Sequence, residues 1–313
     1  MAWRQVLAWV LTVPAVIWAA IRLAGWDVRY PVTQVIAFTP YVAALALIPL
    51  VVAVLLRQWP AAVVAAVALV ALVSCVLPRW LADSDPLAGA RGPQLRVLTA
   101  NVLAGRASAE EIVRLVTEQK AEVLLLQELT PDFVARAAAE GLDALMPYKA
   151  IYPMDGVIGS GIYSRQPLRA EGVRVNKGGF WQATAELAGS GVLLESAHPR
   201  APFDSATTKL WRDDFPDEPR ATPDGPLRIL GGDFNATLDH SVLRDLISSG
   251  YRDAAATVGQ GLVGTWGPYD GDNIPPVTLD RVLADRRIGV VEVRVFPVTD
   301  SDHRALLAVL QLP

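Results

Sequence analysis

The sequence predicts an α+β fold in which two packed sheets flanked by helices follow three membrane-spanning helices. Beyond residue 93, strand-like runs outnumber helical periodicities about two to one, and strands that need cover on both faces pack as layered sheets. Before residue 81, three apolar stretches carry charge only at their ends. Between the two regions lies a segment rich in Asp, Gly, Ala and Pro. The expected organisation is therefore a membrane domain over 1–80, a linker over 81–93 and a sandwich domain over 94–313.

The apolar stretches run about Val6 to Ile21, Val35 to Leu56 and Ala61 to Leu77. Each approaches the roughly 20 residues a helix needs to cross a hydrocarbon core. Trp3, Trp18, Trp26, Trp59 and Trp80 mostly lie near the ends, where an amphipathic ring prefers the interface. Pro14 and Pro49 fall inside, which membrane helices tolerate. The first stretch is also open to reading as a cleaved signal peptide, although its basic start is thin and no clean small-residue site follows. With three spans, Arg4 and Arg57 lie on one side, and Arg22, Arg29 and Arg79 lie on the other with the sandwich; charge alone would place that side in the cytoplasm. The single Cys75 falls inside the third stretch and carries no redox information.

Strand patterns fall near residues 95–100, 123–127, 157–164, 181–187, 192–197, 227–232, 278–284, 288–296 and 304–311. Helical patterns fall near Ser108 to Gln119, Pro131 to Glu140, Ser205 to Asp213 and Ser241 to Ser248. No internal repeat is evident.

Two strings carry the chemistry: GGDFNAT, from Gly231 to Thr237, and Ser301-Asp302-His303. The apolar run Leu227 to Leu230 ends at two glycines, which puts Asp233 and Asn235 on a loop at a strand's edge. A phosphate ester resists water because its anionic centre repels the nucleophile. Hydrolysis needs a cation on the phosphoryl oxygens and a group that orients and deprotonates water. Hard Mg²⁺ is held through carboxylate and amide oxygens, and Mn²⁺ accepts the same ligands. Singly, each string also fits plain turn or surface chemistry. Asn101 also fits a helix cap and Asp280 a structural partner of Arg281. Glu128 is harder to set aside, because a carboxylate directly after VLLLQ is costly to bury unless it meets a cation.

Eight anchors occur in order: Asn101, Gln127-Glu128, Ser160 to Arg165, Ala197-His198-Pro199, GGDFNAT, Gly264-Thr265-Trp266, Leu279-Asp280-Arg281 and Ser301-Asp302-His303. From about residue 93 to the C-terminus the chain resembles the endonuclease/exonuclease/phosphatase superfamily, with its DNase I-like fold. The resemblance implies a four-layer α/β/β/α sandwich with its site where strand ends of both sheets converge. It implies that Glu128 is the principal Mg²⁺ ligand, with Asn101 and Asp302 completing or backing the metal shell. Asp233 would polarise the attacking water, and Asn235 would hold a phosphoryl oxygen. His303, paired with Asp280, would face the phosphate, and His198 would bind the phosphate or assist the leaving group. Arg281 departs from the histidine or tyrosine that many members place after the aspartate. The third histidine, His240, is expected in a solvated loop without a role.

Past residue 90 the chain holds 23 basic and 29 acidic residues, a net −6. A nonspecific nuclease normally shows a basic footprint, so this balance argues against a nucleic acid partner. Arg165 with Arg169, or Arg281 with Arg286 and Arg287, would suffice for one phosphate headgroup. Aromatics at Phe180, Trp181, Trp211 and Phe215 would suit a lipid-linked substrate if exposed and a packed core if not, and the insertion between His198 and Asp233 is the expected specificity lid. The leading expectation is a membrane-anchored, Mg²⁺-dependent phosphohydrolase cleaving a phosphodiester or pyrophosphate, with a polyprenyl carrier or phospholipid headgroup as substrate. The alternatives are a tethered nuclease and a non-catalytic binding module. Three spans before this domain look like the bacterial VanJ-like membrane proteins linked to glycopeptide resistance, which implies an extracytoplasmic catalytic domain.

Overall fold

A computed structural model of the chain describes residues 2–267 and 273–313. Its N-terminal part is helical: α1 (Ala2–Ala24), α2 (Val32–Ile36), α3 (Thr39–Leu45), α4 (Leu47–Leu55) and α5 (Trp59–Val76), followed by a 3₁₀ turn over Leu77–Arg79. The faces where these helices meet are small: Ala8, Ala15, Ala19, Ala43, Ala46, Ala53, Ala61, Ala62, Ala65 and Ala68 are buried. Large apolar side chains, among them Val6, Val10, Ile17, Ile48, Leu55, Val63 and Val70, point outward. Two of the helices, Ala2–Ala24 and Trp59–Arg79, are long and apolar enough to cross a bilayer. Of the three spans expected, these two meet that measure; the middle stretch is divided and its apolar helix, Thr39–Leu55, is shorter. Residues 32–38 are diverted into α2 and a turn, where the Thr33 hydroxyl donates to Asp27 O (2.6 Å) and that of Thr39 to Ile36 O (2.6 Å).

The rest of the chain forms two six-stranded sheets among the described residues. The strands are β1 (Gln94–Asn101), β2 (Val123–Gln127), β3 (Tyr148–Tyr152), β4 (Ser160–Ser164), β5 (Leu168–Val175), β6 (Trp181–Leu187), β7 (Val192–Ala197), β8 (Arg228–Asp233), β9 (Tyr251–Asp253), β10 (Asp280–Asp285), β11 (Gly289–Pro297) and β12 (Arg304–Gln311). One sheet runs β11-β12-β1-β2-β4-β3 and the other β5-β6-β7-β8-β10-β9. Each has one parallel pair with a helical crossover: β1 and β2 joined through α6 (Ala109–Glu118), and β7 and β8 through α9 (Ser205–Asp214). Parallel strands need such a crossover. In both pairs the carboxyl ends point to the same place, which is where sheets of this kind offer a ligand crevice.

Alternation along the strands builds the layers. On β2, Val123 and Leu125 face the other sheet and pack with Val97, Ile162, Ala183, Ala185, Leu194, Ile229 and Val282. Leu124 and Leu126 face outward against Ile112 and Leu115 of α6 and Phe133 of α7 (Pro131–Ala139). Leu230 and Leu283 of the second sheet meet Trp211, Phe215, Leu243 and Leu246 outside it. The order is helix, sheet, sheet, helix. Both glycines of GGDFNAT are required by this packing. A Cβ on Gly231 would lie 2.5 Å from Leu125 Cδ1, and one on Gly232, at φ +156°, would lie 2.0 Å from Ala197 O.

Residues 81–93 lie along the sandwich: Asp83 N donates to Thr257 O (2.9 Å), Val290 N to Pro86 O (2.8 Å) and Gly92 N to Leu312 O (2.8 Å). Trp211 and Phe215 are core residues, so they offer no surface to a lipid. The segment expected as a lid contains the crossover helix α9, locked at its start by a reciprocal Asp204–Thr207 capping box. Only its beginning, Arg200 to Phe203, borders the cleft described below.

One buried ionic cluster lies on the second sheet. Arg174 donates to both Glu195 and Glu218, at 2.6 Å each. Burial raises the Glu195 carboxyl to about 8, with the neighbouring Glu218 adding to the rise and Arg174 opposing it. In the unfolded chain this carboxyl ionises in the usual range, so between about pH 5 and 8 the folded state keeps a proton that the unfolded state has lost. Stability is therefore highest below that range and falls as pH rises through about 8. We expect the Tm of the detergent-solubilised protein to drop by about 5 °C from about pH 6 to about pH 9, and Glu195→Gln to flatten that slope. An unchanged slope in Glu195→Gln would assign it to other groups.

Candidate active site

At the converging strand ends six polar side chains, five of them ionisable, meet within a few ångströms. Asn101 closes β1, Glu128 follows β2, His198 follows β7 and Asp233 closes β8, while Asp280 opens β10 and His303 directly precedes β12. All are buried. Asn101 ties the sheets together: its Nδ2 donates to Glu128 Oε1 (3.0 Å) and to Asp233 Oδ2 (3.1 Å), while its Oδ1 accepts from Leu103 N (2.9 Å). Asn101 thus turns its amide nitrogen toward the carboxylates and orders them. It does not cap α6, a role taken by Ser108.

Glu128 sits at φ +59° and Asn235 at φ +47°. Left-handed backbone at non-glycine residues costs free energy and concentrates at functional sites. Burial raises the Glu128 carboxyl above its usual range, against hydrogen bonds from Asn101 and from Ala104 N. Burial likewise raises Asp233, with the Asp280 charge adding to it and His303 opposing it. Asn235 N donates to Asp233 Oδ1 (2.8 Å), fixing the carboxylate's plane, and Asn235 Nδ2 donates to Pro199 O (3.0 Å).

The two histidines differ in charge. His303 Nδ1 lies 2.9 Å from Asp280 Oδ2, and its Nε2 lies 3.5 Å from Asp233 Oδ2 and 4.0 Å from Asp302 Oδ1. Burial alone would discharge this ring, but Asp280, Asp233 and Asp302 raise it to about 10, so it is an imidazolium at neutral pH. His198 is lowered to about 4 by burial, which the Asp233 charge only partly offsets, so it is neutral. Its Nε2 is 3.7 Å from Asp233 Oδ2 and 3.9 Å from Glu128 Oε1, and Phe180 packs edge-on against it at 4.8 Å.

Asp233, Asp280 and His303 each offer a ligand atom within 4.8 Å of one another. The Asp280 carboxylate beside Nδ1 favours the ring's protonated form, however, and a protonated ring does not ligate a metal. The oxygens of Glu128, and Asp302 Oδ1, which is buried without a partner among the described residues, are the donor set that fits a hard divalent cation. Asp302 Oδ2 is held by Trp266 Nε1 (3.0 Å).

These groups floor a cleft of about 600 Å³. Its walls include Val157, Phe203, Ile274 and Val277 and, from the helical region, Thr33, Gln34, Ala37 and Phe38. This arrangement of two sheets and converging strand ends matches a known family. Residues 98–303 match the family described as Endonuclease/Exonuclease/phosphatase family. The chain belongs to that family. Its members hydrolyse phosphoester bonds and typically depend on a divalent metal, and this chain is accordingly a phosphoester hydrolase. The fold is similar to that of an AP endonuclease from Archaeoglobus fulgidus, at TM-score 0.58 and 16% identity, covering 70% of this chain and 100% of that one. It is also similar to the 3′ phosphatase NExo from Neisseria bound to a product DNA hairpin, at TM-score 0.55 and 17% identity over 68% and 98% of the two chains. A third likeness is to the endonuclease/exonuclease/phosphatase from Beutenbergia cavernae DSM 12333, at TM-score 0.53 and 18% identity over 70% and 72%. At these identities the likeness is one of fold. No curated protein matches the chain.

Several expectations change here. Arg281 is fully buried and bonds Asp253 (2.7 Å), Thr278 O and Ala236 O, which leaves Asp280 to His303. Arg165 bonds Ala121 O, and Arg287 bonds Asp285, so neither basic cluster is arranged as a headgroup site. Among the described residues the cation that does line the cleft is Arg200, whose buried Nε has no partner there and whose guanidinium lies 5.6 Å from the Phe180 ring centroid. The sequence held one signal for it, its place directly after His198-Pro199. His240, expected in a solvated loop, is buried, and its Nε2 donates to Thr33 O at 2.7 Å.

Proposed function

We propose that the protein is a membrane-anchored, Mg²⁺-dependent phosphohydrolase that cleaves a phosphodiester or pyrophosphate bond in a lipid-linked substrate, such as a polyprenyl carrier or a phospholipid headgroup. The observation that carries this reading is the two-part cleft: an acidic floor suited to a phosphate–metal pair, and a wall with Val157, Phe203, Ile274 and Val277 and, from the helical region, Ala37 and Phe38 as its apolar part. Helices that pack through alanine and turn valine, leucine and isoleucine outward suit a lipid surroundings, where small residues let helices approach. The catalytic domain is placed outside the cytoplasm, in the cell envelope, as a resemblance to VanJ-like proteins would imply.

Glu128 and Asp302, backed by Asn101, would hold the metal. Bound there, Mg²⁺ supplies charge neutralisation on the phosphoryl oxygens. Asp233, with its carboxyl raised and its plane fixed by Asn235, accepts a proton from the attacking water. The water oxygen forms the new P–O bond, and the bond to the leaving oxygen breaks in line with it. The His303 imidazolium, held by Asp280, faces the charge that builds on the phosphoryl oxygens. His198, neutral, and Asn235 donate hydrogen bonds to those oxygens, and Arg200 adds a cation at the rim.

A tethered nuclease is the second reading, favoured by neighbours such as NExo bound to a DNA hairpin. The net −6 past residue 90 weighs against it. Phosphorus NMR of a bacterial membrane-lipid extract, incubated with detergent-purified protein and Mg²⁺, separates the two. New phosphate or phosphomonoester signals that EDTA prevents are the expected result. An unchanged spectrum from folded, metal-loaded protein would sink the lipid reading and leave nucleic acid or a soluble phosphoester.

A further inference from the structure

We propose that the helical region positions the catalytic loop, through a buried clamp on the residues that directly follow Asp233 and Asn235; this rests on the roles given to those two residues above. The stretch from Phe234 to His240 leaves β8 and enters α10 (Ser241–Ser248). Three separate parts of the helical region hold it. From the end of α1, Arg22 Nε donates to Asp239 Oδ1 (2.7 Å), and its Nη2 donates to Leu238 O (3.0 Å). From the 3₁₀ turn after α5, Arg79 Nη1 donates to Asp239 Oδ2 (2.7 Å), and its Nη2 reaches Oδ1. From the link between α1 and α2 and the start of α2, Asp27 Oδ2 accepts from Ser241 N (2.8 Å), and Thr33 O accepts from His240 Nε2 (2.7 Å).

The charges are buried: Asp239 and Asp27 are 0% exposed, Arg79 5% and Arg22 7%. A buried carboxylate between two guanidiniums has no partner to turn to if the helices shift, so the contact is made or broken as a unit. The loop also depends on it locally. His240, at the N-cap position of α10, gives that helix no side-chain bond, so the first turn is capped from the helical region by Asp27. His240 Nδ1, by accepting from Thr237 N (2.9 Å), passes the restraint back toward Asn235. A cavity of about 230 Å³, lined by Tyr41, Arg79, Thr237 and Asp239, leaves room for the loop to relax once released. Since Thr33 and Phe38 also line the cleft, one docking contact sets both the substrate wall and the position of the catalytic Asp233.

The test uses the full chain in detergent, with Asp239→Ala and, because bare arginines can unfold that variant, Asp27→Ala, which leaves Arg22 and Arg79 paired with Asp239. Amide hydrogen exchange over residues 234–241 and the kcat and KM for bis(4-nitrophenyl) phosphate with Mg²⁺ are measured on each. We expect loop exchange to rise about tenfold with β1 and β8 unchanged, and kcat to fall about tenfold with KM within about twofold. Wild-type loop exchange in both folded variants overturns the clamp, whether or not the probe is hydrolysed. Faster exchange with wild-type kcat overturns the positioning role. A wild-type chain inert toward the probe counts against the proposed activity alone, and the exchange data still decide the clamp.

Discussion

Glu128→Ala and Glu128→Gln should each lower kcat/KM on the order of a thousandfold, and should weaken Mg²⁺ binding by at least about a hundredfold in calorimetry. The carboxylate is buried directly after a strand whose side chains are all buried, and burial raises its pKa. Two hydrogen bonds, from Asn101 Nδ2 and Ala104 N, compensate part of that cost. A cation would compensate the rest. The corollary separates a ligand from a structural residue. Without metal, Glu128→Gln removes an unfavourable buried charge, so its Tm should equal or exceed that of the wild type. If both variants keep Mg²⁺-dependent turnover, the metal is held elsewhere and Glu128 is not its ligand.

Much of the sandwich was legible because its interior strands carry a plain signal. β2 reads as an unbroken apolar run because it is covered on one face by the second sheet and on the other by α6 and α7. The three strands the sequence did not suggest, β3, β5 and β9, are all sheet edges. An edge strand is covered less, so it need not alternate. β5, LRAEGVRV, has one buried residue in eight. The site was legible in residue types, since a carboxylate at the end of an apolar run is conspicuous on chemical grounds. What escaped were pairings across the chain. Arg281 turned to Asp253 and not to its neighbour Asp280, and His240 and Asp239 met Thr33, Arg22 and Arg79 some 160 to 217 residues away. No local periodicity marks a polar residue for burial by a distant partner. The division of the second apolar stretch escaped for a similar reason, because hydropathy averages over Thr33 and Thr39, whose hydroxyls turn the backbone.

His303→Ala should lower turnover on the order of a thousandfold, and Asp280→Asn should come close to the same loss although it touches no substrate. Asp280 is 0% exposed, its Oδ2 sits 2.9 Å from His303 Nδ1, and its backbone N donates to Thr265 Oγ1 (2.9 Å). That fixed carboxylate is the nearest of the three acids that keep the buried ring charged. Asparagine preserves the shape and removes the charge, so burial is then opposed only by Asp233 and Asp302 and the ring's pKa falls toward the neutral form. A neutral imidazole offers far less to an oxyanion than an imidazolium does, so both substitutions remove the same interaction. The double variant should therefore be little worse than either single one. Additive losses in a double-mutant cycle would mean that Asp280 and His303 act on the reaction separately. Full activity in Asp280→Asn would mean that the ring works without its charge, leaving the metal and Arg200 to meet the phosphoryl oxygens.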